Sequence, residues 1–193
     1  MKQFRLLILM GILSLNANFS RAQYDALELV PSLYIPVSHQ TQYYAIGFAA
    51  DFNYYYTDES NYSLYGGLGF YNKRRKEESP YPPFYGIRFF YGAQYKFQII
   101  ENQFNISLGA EGGYQMGIHA GNSSTGTSIV FESALGASPR LGFNWRIDEG
   151  FFEIGAQVKY NIYLPVSGGY YFGSYAESIH QWVQPAIGLK IYI

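Results

Sequence analysis

The sequence predicts an all-β chain, an eight-stranded antiparallel up-and-down transmembrane β-barrel. Three observations predict it. Apolar and polar residues alternate over long segments, as in residues 152–163, FEIGAQVKYNIY. Charged residues make up 14% of the chain and aromatic residues 20%. The connections between the alternating segments are by turns short and long. Alternation with period two marks a strand with one apolar and one polar face. A soluble domain carries about 25% charged residues, so this chain has too few to wet its whole surface.

The chain opens with Lys2 and Arg5, an apolar stretch over 6–15, and Ser20-Arg21-Ala22. That is the pattern of an export signal cut before Gln23, so 1–22 is expected to be a signal peptide and 23–193 the barrel. The apolar stretch is too short to cross a bilayer as a helix. There is no Cys, which excludes a disulfide framework, a thiolate metal site and a lipid-modified N-terminal Cys. The net charge of -1 exerts no general pull on nucleic acid. No cofactor is expected.

Strands are expected at about 26–37, 43–55, 62–71, 84–99, 104–118, 129–147, 151–163 and 181–193. Most exceed the roughly 5–6 residues of a soluble strand and suit a tilted membrane strand of about 9–11. Pro139 is expected to mark a bulge or a break in pairing. The connections at 57–61, 101–103 and 148–150 are short. Those at 72–83, 120–128 and 164–180 are long, and SHQTQ at 38–42 is modest. Long loops gather at the extracellular end of outer-membrane barrels, and an even number of strands leaves both termini in the periplasm.

A soluble barrel would show the same alternation with the polar face outward, so orientation needs its own argument. The polar face is crowded with glycine, including Gly67, Gly69, Gly86, Gly92, Gly109, Gly113, Gly117 and Gly136. Glycine weakens a strand, but inside a narrow barrel it makes room for large neighbours. The charges of the polar face nearly cancel: Glu28, Asp51, Glu111, Glu132 and Glu153 against Arg88, Lys96, Arg140, Arg146, Lys159 and Lys190. A closed interior needs such pairing, because stranding one partner of a buried ion pair costs about 3–5 kcal/mol. Aromatic pairs such as Tyr43-Tyr44, Tyr54-Tyr55, Phe84-Tyr85 and Phe151-Phe152 sit near strand ends, where membrane barrels carry aromatic girdles. The polar face therefore points inward and the apolar face meets lipid.

With these features the mature chain resembles the small bacterial outer-membrane β-barrels of the OmpX-, OmpW- and OmpA-like group, in a style similar to Bacteroidetes barrels. The terminal AIGLKIYI resembles the signal by which the barrel-assembly machinery reads its clients, with Gly188, Ile191 and Ile193 at the matching positions. Ala186 stands where a polar residue is usual, and Ile193 where Phe is common. The resemblance implies a bacterial outer-membrane location and contact with outer-membrane lipid, lipopolysaccharide and the assembly machinery.

Several candidate sites follow. His39, His119 and His180 fall in or beside the long loops, on one outer rim; their spacing is not that of a metal site, and exposure to solvent is the expectation. Lys73, Arg74, Arg75 and Lys76 form the one basic run, suited either to lipopolysaccharide phosphates or to a solvated loop beside Glu77 and Glu78. His119, Ser123 and Glu132 are faintly similar to the catalytic residues of PagL-like lipid A deacylases, although Gly121 occupies the nucleophile's place. Large inward residues such as Tyr65, Phe90 and Tyr192 argue for a plugged interior. A structural or surface-interaction role through 72–83, 119–128 and 164–180 is therefore expected first, a narrow channel for small solutes second, and a lipid A or ester hydrolase third. The exported protein should require detergent for extraction and begin at Gln23 in intact-mass analysis; a monodisperse chain in plain buffer would reverse the assigned orientation.

Overall fold

The computed structural model describes residues 25–58, 61–101, 103–123, 126–147, 151–168 and 179–193. The expected signal peptide, 1–22, lies outside them. The strands are β1 Ala26–Pro36, β2 Tyr44–Ala45, β3 Gly47–Asp58, β4 Tyr62–Arg75, β5 Phe84–Ile100, β6 Phe104–Ser123, β7 Gly126–Ile147, β8 Phe152–Gly168 and β9 His180–Tyr192. The two-residue β2 is a splint on β4; the other eight pair antiparallel with their neighbours in sequence. β1 also pairs with β9, so the sheet closes into an eight-stranded up-and-down barrel. Among the described residues no helix is long and apolar enough to cross a membrane.

The parity read from sequence holds around the wall. In β8, Glu153, Gln157 and Lys159 are buried inside, while Phe152, Ile154, Val158 and Ile162 stand outside with 38–45% of their surface open. The same division runs through β5, where Arg88, Phe90 and Gln94 point in and Phe89, Tyr91 and Tyr95 point out. A continuous belt of exposed Phe, Tyr, Leu and Ile is far larger than the few hundred Å² of apolar patch that a water-soluble monomer carries. It fits a wall solvated by lipid.

The strands run further at the outer end than the pattern of alternation suggested. β4 continues to Arg75, and the β6–β7 ladder reaches Ser123 opposite Gly126, so much of the expected 120–128 loop is a hairpin. SHQTQ forms a 3-10 turn over Ser38–Gln42. Pro139 faces outward and sits opposite Ala110 in an unbroken ladder with β6, but on the β8 side the rungs lapse at Ser138 and Pro139, as expected of a break in pairing, and resume in the same register at Arg140. The irregularity lies between Ser133 and Ala134, where β8 contributes an extra residue before Gly168 adopts a left-handed φ of 66°. Proline has no N–H to give a ladder, so a rung is lost on the side that N–H would face.

The adjacent aromatics split across the wall, since successive residues point to opposite sides. Tyr54 and Tyr85 join the outer belt, while Tyr55 and Phe84 turn in. The inward rings form two layers. Tyr34, Tyr71, Phe84, Tyr163 and Trp182 pack in the outer half; Tyr55, Tyr65, Phe90 and Tyr192 pack in the periplasmic half. Glycine makes the space they occupy. A Cβ on Gly67 would lie 2.5 Å from Phe90 Cζ and 2.6 Å from the Phe52 carbonyl, and one on Gly86 would lie 2.6 Å from both Phe84 and Tyr71.

The seam between β1 and β9 is less continuous than its neighbours. Its pairing lapses between Leu29 and Ser32 and again between Ser32 and Ile35. Pro31 lies in the first gap, and in register Leu33 of the second faces Pro185. Beyond the last rung, the Ile193 N–H donates to the Asp25 carbonyl at 2.9 Å.

The role of the inward glycines can be tested with a matched pair. Gly67→Ala should cost about 1–3 kcal/mol by overpacking and lower the urea midpoint of the refolded barrel. Gly112→Ala, where an added Cβ meets nothing within 4 Å, should leave the midpoint unchanged or raise it.

Candidate functional site

The interior holds three polar groups separated by the two aromatic layers. The central one gathers side chains from around the wall. Asp51 of β3 accepts hydrogen bonds from Arg88 Nε at 3.2 Å, Lys159 Nζ at 3.0 Å and Gln184 Nε2 at 2.9 Å. Arg88 NH2 also donates to Asp51 Oδ2, and its NH1 to Asn161 Oδ1 at 2.7 Å. Lys159 reaches Glu111 Oε1 at 2.6 Å. Arg140 lies 3.9 Å from Glu111 and 3.5 Å from Glu28, which accepts in turn from Asn53 and Tyr55 at 2.7 Å each. Gly69 leaves β4 without a side chain where Asp51 and Arg88 meet.

The periplasmic group is smaller. Lys190 pairs with Glu153 at 3.1 Å, and the Tyr192 hydroxyl donates to the same carboxylate at 3.0 Å. Arg146 stacks over the Tyr192 ring at 4.5 Å and is only half-buried. Lys96 is buried on the inner face of β5. Of the charges on the polar parity, all but the half-buried Arg146 are buried, and most are paired with another of the set.

The outer group corrects three expectations. His119 and His180 are not exposed loop histidines; both are about 1% exposed. His119 Nε2 lies 3.0 Å from Glu132 Oε2, and His180 Nδ1 lies 3.1 Å from Glu132 Oε1. Lys73 does not face lipopolysaccharide. The extension of β4 turns it inward, fully buried, with Nζ 3.0 Å from His180 Nδ1 and 4.8 Å from the Phe84 ring centre. Its parity with Gly67, Gly69 and Tyr71 was the signal for this, concealed by ending the strand at residue 71. Arg74, Arg75 and Lys76 stay exposed at the outer end. His39 is half-buried against Tyr43 on the 3-10 turn, apart from the other two. Among the described residues no group of three His, Asp or Glu side chains has the geometry of a metal site.

The arrangement does not form a hydrolase site from His119, Ser123 and Glu132. His119 and Glu132 pair, but Ser123 is four residues further along the extended β6, about 13 Å away by strand rise. A nucleophile must lie within hydrogen-bond reach of its base. The Ser123 side chain itself lies outside the described residues.

Partners such as Gln115, Gln184, Asn53 and Asn161 were not singled out from sequence, although their polar parity places them inside with the charges. Removing the shared acceptor of the central group is the sharpest test of its energetics. Asp51→Ala takes the bidentate partner from Arg88 and leaves Lys159 with Glu111 alone, and should cost about 3–5 kcal/mol, read as a lower urea midpoint in detergent. Arg146→Ala should cost under about 1 kcal/mol.

Comparison with known proteins yields likenesses of structure. No family model matches the chain, and no curated protein matches its sequence. Neisserial surface protein A superposes with a TM-score of 0.62 at 13% identity, covering 89% of this chain and 98% of that one. Ail, the attachment invasion locus protein of Yersinia pestis, superposes with a TM-score of 0.50 at 13% identity, covering 89% and 99%. With its closed ring of eight strands, its lipid-suited exterior and these neighbours, the chain has the fold of the small outer-membrane β-barrels.

Proposed function

We propose that the chain is a plugged outer-membrane barrel with a structural or surface-interaction role exerted from its outer end. The observation that carries this reading is the filled interior. Tyr34 stacks on Trp182 at 5.2 Å, and Trp182 on Tyr163 at 5.3 Å and Tyr71 at 5.5 Å. Below them the central ion group spans the lumen. Eight strands leave an interior narrow enough for side chains to fill, and the two aromatic layers with the ion group between them lie across this one. A narrow channel would need a continuous polar path past two aromatic layers. The names of the two structural neighbours, a surface protein and an attachment invasion locus protein, support a role at the cell surface.

Lipopolysaccharide contact is part of the proposal, now resting on Arg74, Arg75 and Lys76. They lie exposed at the outer end of β4 and just beyond it, with Arg74 on the same outward face as the lipid-facing Phe70, where cations would meet the phosphates of outer-leaflet lipid. The C-terminal Gly188, Ile191 and Ile193 are proposed as the assembly signal; Ile191 and Ile193 face outward from the last strand.

Two measurements test the reading. The refolded protein should insert into planar bilayers without stable open steps; reproducible unitary conductance would favour a channel. Replacing Arg74, Arg75 and Lys76 together with Ser should weaken binding to lipopolysaccharide vesicles on the order of tenfold, the sum of three exposed charge contacts. Unchanged binding would remove the lipopolysaccharide contact and leave the plugged barrel standing.

A further inference from the structure

The outer polar group contains a conflict at a single atom. Three groups converge on His180 Nδ1: Lys73 Nζ at 3.0 Å, Gln115 Nε2 at 3.1 Å and Glu132 Oε1 at 3.1 Å. The first two are donors and the third is an acceptor. A neutral imidazole offers Nδ1 either as a lone pair or as an N–H, never both. With the lone pair there, Lys73 or Gln115 is satisfied and Glu132 Oε1 is left without a hydrogen bond, as it is in this structure. With a proton there, the N–H donates to Glu132 Oε1, and the Lys73 ammonium loses its acceptor and faces a second cation.

The same group holds down the cover of the barrel. The 3-10 turn Ser38–Gln42 starts at Ser38, which has a strained φ of 56°. Gln40 reaches down from it to accept from the Tyr34 hydroxyl at 3.0 Å. Tyr44, just after the turn, places its hydroxyl 3.5 Å from His119 Nδ1 and its ring 5.6 Å from Lys73 Nζ. Tyr43 packs edge-on against Tyr81 at 4.9 Å, and its carbonyl accepts from the Lys76 N–H. These contacts tie the 76–83 segment to the turn. The cover is thus anchored to the barrel through the residues that surround Lys73.

We propose that His180 is a proton-operated latch: protonation of Nδ1 transfers that nitrogen from Lys73 to Glu132, expels the ammonium from its ring of Tyr34, Tyr44 and Phe84, and releases the cover at the barrel mouth. The proton comes from solvent, and no bond other than hydrogen bonds is made or broken. The charged and titratable groups facing the imidazole are Lys73 of β4, His119 of β6 and Glu132 of β7, with the hydroxyls of Tyr34, Tyr44 and Tyr71 around that cluster and Tyr163 and Arg88 one layer deeper. The central group, made of Arg, Lys, Asp and Glu, has no imidazole, so mild acid acts at the mouth and not at the middle of the barrel. Lys73 is two residues from the exposed Arg75, so its four-carbon stem can carry the ammonium out toward water.

Trp182 reports on the latch, lying buried beneath it. The other tryptophan, Trp145, is 64% exposed on the lipid-facing wall and is removed by Trp145→Phe. In that background, acrylamide quenching of Trp182 in the refolded, micelle-bound chain should be low at pH 8. It should rise as the pH falls past the ordinary imidazole range near 6.5, with the open population growing about tenfold per pH unit for one proton. His180→Gln, which can accept from Lys73 but cannot titrate, should flatten the profile. Lys73→Met should reverse it, because a protonated His180 then pairs with Glu132 unopposed and acid tightens the mouth. The proposal is overturned if the parent shows no pH response, if His180→Gln retains it, or if Lys73→Met keeps the parent's sign. Should His180→Gln fail to refold, the parent and the Lys73 variant still decide.

Discussion

The central ion group is the constraint on which the rest of the barrel depends. Glu28, Asp51, Arg88, Glu111, Arg140, Lys159 and Gln184 come from β1, β3, β5, β6, β7, β8 and β9, so seven of the eight wall strands contribute to one network. The eighth, β4, contributes the absence of a side chain at Gly69. Such a network satisfies its members only when every strand is in register, because a slip of one residue would turn each charge toward lipid. A barrel wall gives little preference among registers by backbone bonding alone. Buried charges that find partners in just one alignment supply that preference, which is the best-attested use of buried polar groups.

Filling the lumen follows from the same constraint. Charges that must be desolvated need large, polarisable neighbours that exclude water, and the aromatic layers above and below provide them. Arg88 and Lys159 lie over the Phe90 ring at 4.8 and 5.0 Å, and Lys190 over Tyr55 at 4.0 Å. Rings of that size fit a cylinder this narrow only where the facing strand is bare, which accounts for the glycines at Gly67, Gly86, Gly92 and Gly136. Ion pairs, rings and glycines are three parts of one packing solution. They leave the outer end as the part of the molecule free to vary with function.

Much of this was legible because a strand's side-chain period is two and does not drift. Parity along β5 and β8 placed Arg88, Glu153 and Lys159 inside without reference to any contact. What parity could not supply was where each strand stops. Lys73 shares its face with Gly69 and Tyr71, yet it opens a run of four cations that looks like loop. His119 and His180 border glycine- and serine-rich stretches that look flexible, and their burial depends on Glu132, distant in sequence. Pro139 suggested a bulge or a break, and the β7–β8 rungs do lapse there, but the register is kept across it and the bulge itself lies further along, at Ser133 and Ala134. Polar partners such as Gln184 escaped notice because an amide on the inner face does not advertise which charge it will meet.

The proline-interrupted join of the first and last strands has a consequence for mechanics. A cylinder with uniform ladders would resist opening equally at every strand boundary. Here the ends of the chain meet along the boundary with the fewest continuous rungs, so tension or denaturant should part the sheet there before anywhere else, and zippering during insertion should finish there.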